Sequence, residues 1–391
     1  MTVLDDTHLT TGNGPTATTT GGTTDWTALA AEIGARLQRD AADHDRSGHI
    51  NRDAFEQLGE AGATTALIPT DFGGGGATHA EFGAFLRELG RHDGPTAVTL
   101  SMHSHLVATQ VWRHRHGMDA SGFFAKVVGD RPILISTGAS DWVGSSGSAE
   151  QVDGGYRMSA RKAPASGCEV GDVLVTTIRW DDAPDGPSVI HCSIPFSADG
   201  VSIEETWDTM GMRATGSHTV VLDEVFVPDA AVALVRPADV WHPIWNAVLG
   251  SAMPLIMSAY VGIADAAVDV TRSIIAGRED PHVLQLSGEM VNAHTTGADL
   301  VDAMLSSSDD LNFANADEHS SRTLARKTVA ADALIDAVRL AIEATGGVGY
   351  TRSSDLERLY RDVHGCLFHP LPRAKQTRFS GRVAVGLSPI G

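Results

Sequence analysis

Cysteine is scarce in this 391-residue chain: Cys168, Cys192 and Cys366 stand far apart, without CxxC spacing. Such spacing argues against a disulfide framework or a zinc site and suits a reducing cytoplasm. Positive charge is also short, with 29 basic against 49 acidic residues and a net charge of −20. A phosphate backbone needs a Lys/Arg footprint, and no basic stripe is visible, so nucleic acid is not an expected partner. The N-terminus lacks a basic segment followed by an apolar one, so no signal peptide is expected. The most apolar stretch, Ala247 to Ala267, is interrupted by Ser251, Pro254, Ser258 and Asp265. It reads as a buried helix rather than a membrane span.

What is present is ordinary globular material, 42% hydrophobic and 20% charged, in a chain long enough for two or three cores. Residues 1–24 are rich in Thr and Gly and read as a disordered tail. From Asp25 the period is helical: Trp26, Leu29, Ile33 and Leu37 recur every three or four residues. Thr70 to Gly76 is a loop, and helices are expected over about 78–92 and 95–117. Near Arg131 the texture changes to short β-branched segments such as DVLVTTIRW and SVIHCSI, parted by Gly, Asp and Pro. Those predict antiparallel strands ending at Val227-Pro228. Helical period returns from Trp241, most strongly over 322–345, where Gly346-Gly347 forms the stop. The expected class is α+β: an N-terminal helical domain over 25–130, a barrel-like middle β domain over 131–235, and a C-terminal helical bundle over 236–391.

Four motifs make this order specific. TALIPTDFGG (Thr65 to Gly74), TGASDW (Thr137 to Trp142), WDTMGMRATGSHTVVLDEVFVP (Trp207 to Pro228) and EATGGVGYTRSSDLERLYRD (Glu343 to Asp362) occur in this order. They resemble the corresponding segments of the acyl-CoA dehydrogenase superfamily. The resemblance implies the acyl-CoA dehydrogenase fold with a C-terminal four-helix bundle. It also implies a homotetramer or homodimer, with FAD or FMN between the β domain and the C-terminal helices.

The same resemblance assigns flavin contacts. Ser136 or Thr137 with Ser140 matches the pair at the pyrimidine edge, and Ser166 in KAPASG matches the hydroxyl facing N5. Pro164 stands where an aromatic is usual. Arg278 matches the family's adenine-contacting arginine, but GREDPH replaces the usual aromatic-Gly pair, so FAD and FMN both stay open. Gly346 and Gly347 match the glycines that let the chain pass close to the dinucleotide; a simple helix cap is the alternative.

One family feature is missing. Oxidising an acyl thioester needs a carboxylate within hydrogen-bond reach of the α-proton. Counting from Arg361-Asp362, the family's glutamate position holds Pro370, and the alternative position on an earlier helix falls at about Ala252. Beside the gap stands His369, which resembles the flavin-dependent monooxygenase branch, such as the dibenzothiophene monooxygenases. That branch implies reduced flavin supplied by a separate reductase and oxygen transfer through a C4a-hydroperoxide flanked by two histidines. The second is expected in TAVTLSMHSHLVATQVW, at His103, with His105 as the alternative. His103 shares a helix face with Leu100, Val107 and Val111, whereas His105 shares one with Met102, Thr109 and Trp112. Trp241 and His242 are candidates for the substrate pocket, and no metal site is expected.

The favoured expectation is therefore a cytoplasmic monooxygenase acting on a small or carrier-bound organic substrate. A divergent acyl-CoA or acyl-carrier dehydrogenase and a flavin-free, non-catalytic family member are the alternatives.

Overall fold

The computed structural model describes residues 24–137, 141 and 143–391. The expected tail and Ser140 therefore lie outside the described residues, apart from Thr24. The N-terminal part is helical: α1 (Trp26–Leu37), α2 (Ala41–Ser47), α3 (Arg52–Glu60), α4 (His79–His92), α5 (Gly94–Arg115) and α6 (Ser121–Asp130). Caps explain several starts. The Asp25 carboxylate accepts the Ala28 N–H at 3.0 Å, and Thr78 with Glu81 forms a reciprocal capping box on α4. Asp93 caps α5 through the Thr96 N–H, and Pro95 occupies its first turn, where no partner for the missing N–H is needed.

The middle part holds eight strands: β1 (Leu134–Ser136), β2 (Ser148–Val152), β3 (Gly155–Lys162), β4 (Val173–Trp180), β5 (Ser188–Pro195), β6 (Val201–Glu204), β7 (Thr219–Pro228) and β8 (Val232–Pro237). They form two four-stranded sheets, ordered β1-β4-β5-β8 and β2-β3-β7-β6. Alternation sets the inner face of β4, where Leu174, Thr176, Ile178 and Trp180 are buried. Two expectations need correcting. The β1–β4 pairing is parallel, with Leu134 opposite Val173, because β1 enters directly from the helical part rather than by a hairpin. And the β region extends past Pro228 into β8, which pairs with β5.

The C-terminal part has three long helices, α7 (Ile244–Ile275), α8 (Pro281–Ser307) and α9 (Asp317–Thr345). Short α10 (Gly347–Tyr350), α11 (Asp355–Val363) and α12 (Arg373–Ala384) follow. Helix α7 is apolar and long enough to cross a membrane, but its most apolar window is 94% buried within the protein. It packs against α4, α5, α8, α9 and α11. Glycine makes the α4–α7 crossing close: a Cβ at Gly262 would lie 2.0 Å from the Arg87 carbonyl oxygen, and one at Gly90 2.4 Å from that of Ala259.

Two of the sequence motifs dock on each other and join all three parts. Arg361 on α11 forms a bidentate pair with Asp45 of α2 at 2.9 and 2.6 Å. Its neighbour Asp362 accepts the Met212 N–H of the β region at 2.6 Å. Gly211 sits so close that a Cβ there would lie 2.2 Å from the Arg361 carbonyl oxygen. This junction fixes where the chain leaves α11, and hence where His369 falls.

Candidate active site

Helix α5 carries two of the expected histidines and is buried on nearly every side, packed against α4, α7 and β1. Both histidines are therefore interior, His103 at 1% and His105 at 7% exposure. Their bonding differs. His103 Nδ1 accepts the Leu134 N–H at 3.0 Å, and its Nε2 lies 2.8 Å from the Thr64 carbonyl. Accepting at Nδ1 leaves the proton on Nε2, which donates to Thr64. Both nitrogens are thus committed to backbone at the seam where the helical part meets β1. In His105 only Nδ1 is engaged, with the Ser101 carbonyl at 3.1 Å. Burial pushes the pKa of each down to about 4.

His369 lies on the turn after α11, between α7 and α9. Its Nε2 is 2.8 Å from the Tyr260 hydroxyl, and its carbonyl accepts from Lys327 Nζ at 2.9 Å. Burial, and next the Lys327 charge, push its pKa down to about 3; His105 is near enough for its own charge to add to this. No such influence of His103 on His369 is found. Burial also takes the Lys327 ammonium down to about 8. Pro370, at the family's glutamate position, is buried, as is Ala252 on α7.

A hydroxyl cluster lies where the β region meets α5. Ser166 Oγ accepts from Ser217 at 2.8 Å, Ser217 is 2.6 Å from Thr215 Oγ1, and Thr99 of α5 donates to the Thr215 carbonyl at 3.4 Å. Because Ser166 accepts there, its own proton has no partner among the described residues. At the end of β1, Thr137 Oγ1 is 2.6 Å from Thr176 Oγ1, and Ser136 pairs with Val175. The loop that follows is clamped from inside. The nearly inaccessible Lys162 donates to Asp141 at 2.7 Å and to the Ser146 carbonyl and hydroxyl at 3.0 Å each. Burial alone would raise the Asp141 carboxyl, but the hydrogen bonds from Lys162 and Ser146 override it and hold it below the ordinary value.

A cavity of about 290 Å³ opens between this loop and α12. Val143 and Gly144 line one side; Leu371, Lys375 and Arg378 line the other, over Trp241 and Phe379. One end thus borders the segment after TGASD, and the other the segment after His369-Pro370. Trp241 stacks edge-on to Phe379 and donates to Asp317 at 2.9 Å. His242 does not line the cavity; its Nδ1 accepts the Ile244 N–H at 3.2 Å at the start of α7. Arg278 is exposed in the turn after α7 and has no side-chain partner among the described residues. Gly346 and Gly347 are exposed at the end of α9, with open space where a Cβ would stand. Gly346, at φ +62°, serves as the helix cap.

His105 thus lies within electrostatic reach of His369, and Ser166 is gathered near α5. The structure leaves Arg278, Gly346 and Gly347 on outer turns. Sequence reasoning did not single out Tyr260, Lys327, Ser217 or the Lys162–Asp141 clamp. A signal existed for two of them. Tyr260 is one of four tyrosines and interrupts an apolar run, and Lys327 lies on the Leu324–Ala331–Leu334 face of α9.

Comparison with known proteins gives the family. The profile "Acyl-CoA dehydrogenase, N-terminal domain" matches residues 28–119, and "Acyl-CoA dehydrogenase, C-terminal domain" matches residues 255–372. Together they span more than half of the chain, which belongs to the acyl-CoA dehydrogenase superfamily. Within that superfamily, the putative acyl-CoA dehydrogenase YdbM of Bacillus subtilis is 28% identical over 88% of this chain and 92% of its own. L-evernosamine nitrososynthase of a Micromonospora species is 28% identical over 92% of this chain and 89% of its own. Dibenzothiophene monooxygenase of Rhodococcus qingshengii is 27% identical over 70% of each chain. Among solved structures, KijD3 in complex with FMN and a dTDP-linked amino sugar shares the fold, with a TM-score of 0.83, 24% identity and 93% of each chain covered.

Proposed function

We propose that this chain is a flavin-dependent monooxygenase that takes reduced flavin from a separate reductase and oxidises a small organic substrate with dioxygen. The observation carrying this reading is the exchange at the family's catalytic position. Pro370 and Ala252 have no proton to exchange, whereas His369, next to Pro370, keeps one ring nitrogen without a partner among the described residues. The kinship with a nitrososynthase and a dibenzothiophene monooxygenase supports it.

The donor set fits a flavin. A planar ring needs hydrogen-bond partners along its edge: Ser136, Thr137 and Ser166 stand in the matching segments, and Ser140 belongs to the same set. The cavity suits a phosphate-bearing side chain, since three cations, Lys375, Arg378 and Arg382, line it beside the apolar Trp241 and Phe379, with Arg378 also donating to the Gly391 carbonyl at 3.2 Å. Arg278, Gly346 and Gly347 line no part of this cavity and would face a neighbouring subunit in a homotetramer or homodimer.

When bound in its reduced form, a flavin supplies two electrons; one oxygen atom passes to the substrate and the other leaves as water. The protein's part is to hold donors at the reacting oxygen and keep water out. His369 and His105 are both kept neutral by burial, so neither carries charge into an apolar site. His369 can donate one N–H there, whereas His105 gives its N–H to the Ser101 carbonyl and offers Nε2 as an acceptor.

The test is anaerobic titration of the FMN-loaded, oxidised protein with butyryl-CoA, with reoxidation followed in parallel. The flavin absorbance is expected to persist with the thioester. Reduced, loaded protein mixed with oxygen is expected to release hydrogen peroxide more slowly than free reduced FMN. Bleaching by butyryl-CoA would establish a dehydrogenase instead, and failure to bind FMN or FAD would establish a flavin-free family member.

A further inference from the structure

Tyr260 is 1% exposed in the middle of α7, and its hydroxyl has a single partner among the described residues, His369 Nε2 at 2.8 Å. The two rings meet edge to face, with centroids 5.4 Å apart at 62°. Room for this contact comes from Gly365, where a Cβ would lie 2.5 Å from the Tyr260 oxygen. On its other side His369 is held by its backbone, through the Lys327 ammonium at 2.9 Å.

A neutral imidazole has one N–H and one lone pair, and its partners decide which nitrogen has which. Suppose Nε2 carried the proton and donated to the phenol. The Tyr260 O–H would then be buried with no acceptor, a loss of roughly 1–3 kcal/mol. With the phenol donating to Nε2, every buried proton has an acceptor. The proton of His369 then sits on Nδ1. That nitrogen has no partner among the described residues and is not among the buried atoms lacking one, so it faces accessible space. The phenol is a reliable donor here, since burial pushes its pKa up.

We propose that Tyr260 is a positioning residue that sets the tautomer of His369, so that His369 presents Nδ1–H as a hydrogen-bond donor to an acceptor oxygen in the site. The catalytic consequence rests on the monooxygenase reading; the tautomer does not. His103 has the opposite arrangement, with its lone pair on Nδ1 and its proton on Nε2. The two histidines therefore differ in tautomer as well as in role.

Nitrogen-15 NMR of protein labelled at histidine, with His369→Gln to assign the resonance, reads the tautomer directly. The native protein should show neutral His369 protonated at Nδ1, and Tyr260→Phe should move the signal towards the Nε2–H form. Either a native Nε2–H tautomer or an unchanged signal in Tyr260→Phe would overturn the assignment. The native spectrum decides the tautomer even if the variant does not fold. In folded Tyr260→Phe, FMN affinity should stay within about twofold, because the lost hydroxyl touches His369 and not the proposed cavity. Peroxide release after oxygen mixing should rise severalfold. Loss of FMN affinity and melting temperature together, with the tautomer unmoved, would make Tyr260 a packing residue. Fast peroxide release from the native protein, with the Nδ1–H tautomer confirmed, would sink the monooxygenase reading and leave the tautomer assignment standing.

Discussion

The seam between α5 and β1 and the seam between α7 and the turn after α11 each bury a histidine, yet they use it in opposite ways. At the first, His103 bridges the Leu134 N–H and the Thr64 carbonyl, so both ring nitrogens serve the backbone. At the second, His369 gives one nitrogen to Tyr260 and keeps the other open. Burial depresses both pKa values, so a shifted histidine alone does not mark a reactive one. The number of nitrogens left over separates a structural pin from a candidate for chemistry.

The largest expected effect breaks that comparison most directly. His103→Ala should cost about 3–5 kcal/mol of stability, because it opens a cavity and leaves a buried N–H and carbonyl unpaired. His369→Ala should cost less, about 1–3 kcal/mol, since it leaves one buried group, the Tyr260 hydroxyl, without its partner rather than two backbone groups. Chemical denaturation of both variants checks this; equal losses would remove the distinction between pin and donor. Next in size is cofactor affinity. Replacing Lys375 and Arg378 together by Gln should weaken FMN binding about tenfold or more while leaving riboflavin, which has no phosphate, nearly unchanged. Fluorescence titration with both ligands separates the outcomes, and equal losses would place the phosphate elsewhere.

Acidity sharpens the comparison on a smaller scale. His103 and His105 fall to about 4 in the folded protein from an ordinary 6.5, so the unfolded chain binds more protons between those values. Their contribution is whole above pH 6.5 and is lost as pH falls towards 4, up to about 3 kcal/mol for each. Asp362 opposes this, since burial raises it to about 6 and its contribution declines as pH rises from about 4 to 6. Melting temperature should still fall between pH 6.5 and 4.5, with the histidines in the majority. Replacing His105 by Asn should flatten that fall, and an unchanged slope would mean that His105 is not held neutral by the fold.

Much of the fold was legible in the sequence because its motifs are contact surfaces. The WDTMGMR and LERLYRD runs resemble family segments, and in the structure they meet through Asp362 and Met212. The α–β–α order followed from hydrophobic period alone. The parallel β1–β4 pair was not legible, because a three-residue strand has no register signal of its own. The choice between His103 and His105 was not legible either. Face arguments need a helix with a wet side, and α5 is buried on nearly all sides. Lys375 and Arg378 were not legible as site residues, because the loop at Val143-Gly144 that shares their cavity is distant in sequence.

If this fold protects a reduced flavin for oxygen transfer, with His369 as a donor at the reacting oxygen, loss of that donor must speed the decay to peroxide. Rapid mixing of the FMN-loaded, reduced protein with oxygenated buffer, without substrate, tests it by the rate of hydrogen peroxide release. Slow release is expected from the native protein, and markedly faster release from His369→Ala at unchanged FMN occupancy. Release from the native protein as fast as from free reduced FMN would contradict it.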